Sequence, residues 1–155
     1  HIYVPMEHTE EFTQRLVKTA TSSLVIVELN ATSEIDAMQR FLSTYPTTST
    51  FIEILTNVLK AVICIQRVPT TSGSLQPVLG ITVFNRSCLD SIRQNRLQDI
   101  EHLVRKGQAG PGSLSRDKQL SQYLQRGTIS FEDAIPYAQN PASFRLERSG
   151  ILHAD

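Results

Sequence analysis

The segment Leu24–Pro46, LVIVELNATSEIDAMQRFLSTYP, decides the fold class of this chain. Its first six residues, Leu24–Leu29, are almost all apolar, which is typical of a strand that is buried on both faces in a parallel sheet. Thr32 or Ser33 can cap a helix that follows the strand and ends before Pro46. Four residues of that helix share one apolar side: Ile35, Met38, Phe41 and Leu42. A buried strand followed by an amphipathic helix predicts an α/β fold.

The flanking sequence extends this alternation. Ile2 to Val4 is β-prone and ends at Pro5, so it predicts the end of a strand, and helical spacing predicts a helix over 10–20. Thr50 with Glu53 resembles a capping box that opens a helix over 50–65. A strand is expected from Pro77 to Phe84. Further helices are predicted over 87–94, 97–106, 116–125 and 131–137, whereas the tail beyond residue 141 shows little periodicity.

Composition excludes several classes of protein. The chain has 155 residues, 40% of them hydrophobic, which suits one folded domain and not a disordered protein. Lys plus Arg and Asp plus Glu number 15 each, so no overall positive field favours nucleic acid. Cys64 and Cys88 lack the paired spacing of a zinc site, and no metal site is expected. Because no stretch has roughly 18 continuous apolar residues and no signal-peptide pattern opens the chain, we expect a cytoplasmic protein without membrane insertion.

An acidic group follows the first predicted strand. Glu7, Glu10 and Glu11 lie there together with His8. A catalytic carboxylate or a magnesium site is sterically reasonable at the end of a parallel strand. A helix N-terminus also attracts carboxylates through its dipole, without any chemistry. On spacing alone the helix terminus is the favoured interpretation.

The glycine-rich stretch Gly107–Gly112 has glycines spaced as in a phosphate-binding loop. Ser113 and Leu114, however, occupy the places where Lys and Ser or Thr are needed, and the stretch follows a predicted helix instead of a strand. We interpret it as a flexible linker. The 155 residues contain no other match to GxxxxGK[ST].

The predicted helices over 116–138 are compatible in spacing with a helix-turn-helix. The second of them carries Glu132 and Asp133 and no Arg or Lys. Placing it in a groove lined with phosphates would cost Coulomb repulsion, so we do not expect nucleic acid as a partner.

The segment Gly112–Leu146 resembles the closing segment of the PilT-like ATPases, a family that includes type IV pilus retraction ATPases and type II and type IV secretion ATPases. Ten residues match in order without a gap: Gly112, Asp117, Leu120, Gly127, Ile129, Ser130, Ala134, Ala138, Asn140 and Pro141. Upstream, Ser23–Pro46 resembles the strand and helix after the histidine box of the family. The opening, YVPMEHTEEFTQRLVKTA, aligns with the Walker B strand and places Glu7 at the catalytic glutamate.

This resemblance implies a fold and a set of roles. The expected fold is α/β, with a partial RecA-like parallel sheet and flanking helices over 1–85, a small C-terminal helical subdomain over 86–145 and a tail over 146–155. Glu7 would polarise the attacking water. Arg40 and Asp117 would have a structural role or lie at a subunit interface, and the nucleotide-binding residues stay unassigned.

The resemblance also implies partners and a setting. The intact family protein is expected to be a hexamer that uses ATP and Mg²⁺ to power type IV pilus retraction, with twitching motility, or protein secretion. Its expected location is the cytoplasm, peripheral at the inner membrane, where it would contact a pilus or secretion platform protein. The direction of motor action and the system served are left open.

Several residues depart from the family pattern. Ser23 and Asn30 stand where the histidine box has histidines, Ile65 replaces a glutamine, and Thr9 and Glu10 replace an arginine and an aspartate. Without a glycine-and-lysine loop nothing cradles the β and γ phosphates, so this chain alone is expected to bind ATP weakly and to be inactive. The alternative is a non-catalytic scaffold or regulatory module of a pilus or secretion machine that retains a degenerate ATPase fold.

Overall fold

The computed structural model describes residues 2–5, 9–44 and 48–148 of the chain. Strand β1 (Ile2–Pro5) and strand β2 (Val25–Glu28) pair in parallel, with Ile2 opposite Val25 and Pro5 opposite Glu28. Helix α1 (Glu10–Thr19) connects them, and its N-cap Thr9 accepts a hydrogen bond from the amide of Phe12. The chain therefore begins with the strand, helix and strand that the sequence predicts.

The prediction that Leu24–Leu29 is buried on both faces is wrong for this chain. Leu24 and Ile26 are 50% and 51% exposed. The physical reason is that β2 has a single strand neighbour among the described residues, and no helix there covers the side on which Ile26 lies.

Helix α2 (Glu34–Ser43) follows β2 and is capped by Ser33, whose hydroxyl accepts a hydrogen bond from the amide of Asp36. Its buried side carries Ile35, Met38 and Leu42, as expected from their spacing. Both the start of the helix and its buried side are confirmed.

The predicted helix over 50–65 is wrong in its second half. Helix α3 (Ser49–Val58) starts from Thr48, which accepts a hydrogen bond from the amide of Phe51, so the capping pair of Thr50 and Glu53 does not form the cap. Strand β3 (Ala61–Pro69) follows. Its residues alternate between the two faces, and the β-branched Val62, Ile63 and Ile65 favour a strand.

Strand β4 (Leu75–Val83) pairs antiparallel with β3 in a second, separate two-stranded sheet. The turn between them contains Gly73 with φ of +81°, a backbone conformation that glycine adopts without steric cost. Thr70 closes the turn, because its amide donates to the carbonyl of Ser74 at 2.8 Å. The strand begins two residues before the predicted Pro77.

Helices α4 (Arg86–Arg93) and α5 (Gln98–Arg105) lie close to the predicted ranges. The cap of α4 is Asn85, whose side chain accepts a hydrogen bond from the amide of Cys88. The glycine-rich stretch after α5 is hydrogen-bonded to β4, since the amide of Gly110 donates to the carbonyl of Val83 at 2.8 Å.

Three more helices complete the described chain. Helix α6 (Arg116–Gln125) and helix α7 (Phe131–Ala134) with its short 3-10 continuation (Ile135–Tyr137) match the prediction. Helix α8 (Pro141–Arg148) lies where the sequence shows little periodicity and where no helix was predicted. Asn140 precedes it and accepts a hydrogen bond from the amide of Ser143 at 3.0 Å, which satisfies a free donor of the first turn.

The buried apolar residues form two clusters. Core one belongs to α1–α5: Val17, Ile35, Met38, Leu42, Phe51, Leu55, Cys88, Ile92, Leu97, Ile100 and Val104. Core two joins the β3–β4 hairpin to the C-terminal helices: Val68, Val78, Leu120, Ile129, Ala134, Ala138 and Phe144. Each core contains residues from both sides of residue 85. The expected division into an ATPase core over 1–85 and a helical subdomain over 86–145 stays a prediction. None of the described helices has both the length and the apolar composition that a membrane span requires.

Candidate functional site

The predicted catalytic residue, Glu7, lies outside the described residues. Strand β1 ends two residues before it in the sequence, at Pro5, which lies opposite Glu28 of β2. Because the carboxyl ends of parallel strands meet at one edge of a sheet, the loop after β2, residues 29–33, begins at the edge where β1 ends. Asn30, at a histidine position of the family pattern, belongs to that loop.

The loop after β2 is held in place by Asp36. The carboxylate of Asp36 accepts hydrogen bonds from the amide of Thr32 at 2.8 Å and from its hydroxyl at 3.1 Å. Arg40 donates its Nε to the same carboxylate at 2.8 Å. The hydrogen bond from the Thr32 amide lowers the pKa of Asp36 most, and the hydrogen bond from the Arg40 guanidinium lowers it further. Arg40 therefore supports the loop through Asp36, while its expected place at a subunit interface stays a prediction.

The carbonyl of Thr32, an exposed residue, is the centre of a partly buried polar cluster. It accepts hydrogen bonds from Nη1 of Arg116 at 3.1 Å and from Nε2 of Gln66 at 3.0 Å. The thiol of Cys64 also points to it, with the sulfur 3.9 Å from the oxygen. Arg116 is only 3% exposed, although it begins helix α6. One carbonyl thus connects the loop after β2 to β3 and to the C-terminal helices.

Glu34 is the buried carboxylate of the same cluster. It is 3% exposed, and its Oε2 accepts a hydrogen bond from Nε2 of Gln139 at 3.3 Å. Burial raises the pKa of Glu34, and its own backbone amide and the nearby Arg116 only partly oppose that effect. Gly80 provides the space, since a Cβ at that position would overlap the Glu34 carboxylate.

Asp117 orders the start of helix α8. Its Oδ1 accepts a hydrogen bond from the amide of Gln139 at 2.7 Å, and its Oδ2 accepts one from the amide of Asn140 at 3.3 Å. It therefore positions Gln139 for its contact with Glu34. The role expected for Asp117, structural or at a subunit interface, stays a prediction.

The backbone of the glycine-rich stretch is already engaged in a hydrogen bond. The amide of Gly110, in the glycine-rich stretch, is used by the carbonyl of Val83, and a Cβ at Gly110 would lie 2.7 Å from that oxygen. Within the described ranges no three or more His, Cys, Asp or Glu residues are grouped as metal ligands. A surface depression on α4 and α5 contains Asp90 and Asp99, and each of these carboxylates already pairs with an arginine.

Sequence reasoning missed Glu34, Arg116 and Gln139. Glu34 and Arg116 each follow a cap residue, which is where a solvated charge is ordinarily found. Gly80 lies within a predicted strand, and its role in admitting a carboxylate is visible only in three dimensions.

The chain is similar to an ATPase of the type IV pilus in sequence and to a pilus retraction motor in fold. It is 25% identical over 145 residues to the type IV pilus ATPase PilU of Pseudomonas aeruginosa, a match that covers 91% of this chain and 36% of PilU. The crystal structure of the pilus retraction motor PilT with bound ADP superposes with a TM-score of 0.77 at 23% identity, over 95% of this chain and 41% of PilT. This chain has the fold of the PilT-like ATPases.

Two further solved structures share the PilT-like fold. The ATPase DotB of Legionella pneumophila has a TM-score of 0.70 at 16% identity, over 97% of this chain and 39% of that protein. DotB of Yersinia pseudotuberculosis has a TM-score of 0.73 at 13% identity, over 86% of this chain and 35% of that protein. No protein-family model matches the chain. The predicted resemblance and the predicted α/β class are confirmed. The chain spans little more than a third of the length of these relatives.

Proposed function

We propose that this chain is the C-terminal portion of a hexameric motor ATPase that powers type IV pilus retraction or protein secretion. The observation that carries the proposal is the superposition on PilT with bound ADP, which extends over 95% of the chain. The sequence match to PilU supports the same assignment independently of the fold. The intact protein would use ATP and Mg²⁺, and it would act at the inner membrane with a platform protein of the pilus or secretion system.

In this proposal Glu7 is the catalytic carboxylate. Its support is the alignment of residues 3–20 with the Walker B strand and the parallel pairing of β1 with β2, which brings two strand ends to one edge. Arg40 and Asp117 support the site from a distance, by ordering the loop after β2 and the start of α8. Residues 1–85 would form the rear of the ATPase core, 86–145 a helical subdomain and 146–155 a tail.

The first test uses the intact protein. We expect ATP hydrolysis by the intact hexamer to fall by at least about 100-fold in Glu7→Gln, because a neutral amide cannot polarise the attacking water. The control is Glu132→Gln, an exposed residue of α7 that should leave the rate unchanged. A natural reading frame without GxxxxGK[ST] upstream of His1, or full activity in Glu7→Gln, would contradict the motor assignment and favour the non-catalytic scaffold.

The second test uses the 155-residue chain. Isothermal titration calorimetry with Mg-ATP should detect no binding tighter than about millimolar, which corresponds to roughly 4 kcal/mol. The reason is that the described residues lack a glycine-and-lysine loop, and phosphate positioning supplies most of phosphoryl-transfer catalysis. Micromolar binding would mean that the phosphate site lies within this chain, and the proposed division of the site would then be wrong.

A further inference from the structure

The two apolar cores meet at a boundary that is polar. Seven residues, named here the polar seam, lie along it: Thr32, Glu34, Cys64, Gln66, Gly80, Arg116 and Gln139. None of these residues belongs to core one or core two. Thr32 and Glu34 come from the side of core one, whereas Arg116 and Gln139 come from the side of core two. The halves of the chain therefore contact each other here through hydrogen bonds.

The hydrogen bonding of the polar seam is incomplete. Three of its buried polar atoms have no hydrogen-bond partner in the described chain: Oε1 of Glu34, Oε1 of Gln66 and Nε of Arg116. Arg116 donates to Thr32 and to Cys64, and it makes no ion pair with Glu34. Buried polar groups without partners, a carboxylate above all, cost free energy that water would relieve. Opening the polar seam to water therefore costs less than opening either apolar core.

The β3–β4 hairpin crosses the polar seam and connects the two cores. At one end Val62 of β3 and Phe84, the residue after β4, pack against core one. At the other end Val68 and Val78 belong to core two. Cys64 opposite Gly80 lies between these ends. Because the hairpin keeps its own backbone ladder, the two cores can separate at the polar seam without breaking the strand pairing.

We propose that the polar seam is a built-in opening point, at which the part of the chain around core two moves away from core one while both cores stay folded. The polar bonds of Arg116 and Gln139 to Thr32 and Glu34 hold the closed state. The proposal does not depend on ATP binding, so a failure of the ATPase tests leaves it standing.

The two cysteines of the chain provide matched reporters. Cys64 lies in the polar seam and is 8% exposed, while Cys88 lies in core one and is fully buried. Burial raises the pKa of both thiols, so neither reacts readily while the structure is closed. A local opening of the polar seam exposes Cys64 alone, whereas global unfolding exposes both residues.

The experiment is alkylation of the native chain with iodoacetamide, followed at each cysteine by peptide mass spectrometry and normalised to the rates in denaturant. We expect Cys64 to be alkylated at least about tenfold faster than Cys88. Equal normalised rates would overturn the proposal, because Cys64 would then be exposed only by global unfolding.

Arg116→Met tests what holds the polar seam closed. The substitution removes the donor to Thr32 and should speed alkylation of Cys64 about tenfold while leaving the rate at Cys88 unchanged. The matched control is Arg126→Met, an exposed arginine near the end of α6, which should alter neither rate. Equal acceleration at both cysteines in Arg116→Met would show a global loss of stability and would overturn the role assigned to Arg116.

Discussion

Glu34 is a buried carboxylate. One of its oxygens accepts from Gln139 and the other has no partner. Because burial raises its pKa in the folded state, the folded chain holds this proton more tightly than the unfolded chain does. The stability contributed by the proton is therefore fully present below the unfolded pKa and is lost as the pH rises through the folded pKa.

This gives a prediction for Glu34→Gln. At pH 7 the variant should have a free energy of unfolding about 1 kcal/mol higher than the parent chain, because a neutral amide replaces an incompletely bonded buried charge. Below the ordinary pKa of a glutamate side chain the two chains should differ little, because Glu34 is then protonated in both the folded and the unfolded chain. Urea unfolding at a series of pH values measures the difference.

The control for this prediction is again Glu132→Gln, an exposed carboxylate, which should not give the gain in stability at pH 7. A gain for Glu34→Gln that is as large at low pH as at pH 7 would contradict a titrating origin. A loss of stability at pH 7 would mean that the charge is better compensated by Arg116 than its missing ion pair indicates.

At the scale of the residue, sequence could not identify this cluster because burial is not a property of one position. Glu34 follows the cap Ser33 and looks like an acid that favours a helix N-terminus. Its burial results from Gly80 and Gln139, which are distant in the chain and meet it only after folding. A buried charge leaves no periodic signal when its partners lie on other elements.

At the scale of the element, the region 48–69 shows which signals decide between a helix and a strand. Residues 50–65 have apolar residues at helical spacing, and that spacing predicted one long helix. The observed chain changes from α3 to β3 after Val58. In Ala61–Pro69 the β-branched residues and the pairing with β4 override helical periodicity, since tertiary contacts decide between a strand and a helix for short apolar runs.

The starts of the helices were also predicted only in part. Ser33 was an expected cap and accepts the hydrogen bond of a cap. At α3 the cap lies two residues earlier than expected, at Thr48. Helix α8 was not expected, because it depends on Phe144 in core two and on Asp117, which orders the residues just before the helix.

At the scale of the whole molecule, the sequence predicted the order of a strand, helix and strand but not how the strands are covered. The described strands form two separate pairs, and apolar side chains of both pairs remain exposed. Ile63 and Ile65 of β3 are 60% and 65% exposed, on the face opposite Cys64. An apolar sequence run indicates that a strand needs cover, but it does not say whether the same chain provides it.

The exposed face of β3 leads to a prediction about association of the 155-residue chain. β-Branched side chains beside an open strand edge favour contact between chains, so the chain should self-associate as its concentration rises. Ile65→Thr should shift sedimentation velocity profiles toward the monomer, because threonine keeps the β propensity and removes apolar surface.

The matched control is Ile54→Thr on helix α3. Ile54 is 40% exposed and lies on a helix instead of a strand, so this variant should leave the profile unchanged. A parent chain that stays monomeric over the whole concentration series would show that this face is not adhesive, and an equal effect of both variants would mean that general hydrophobicity drives association instead of the strand.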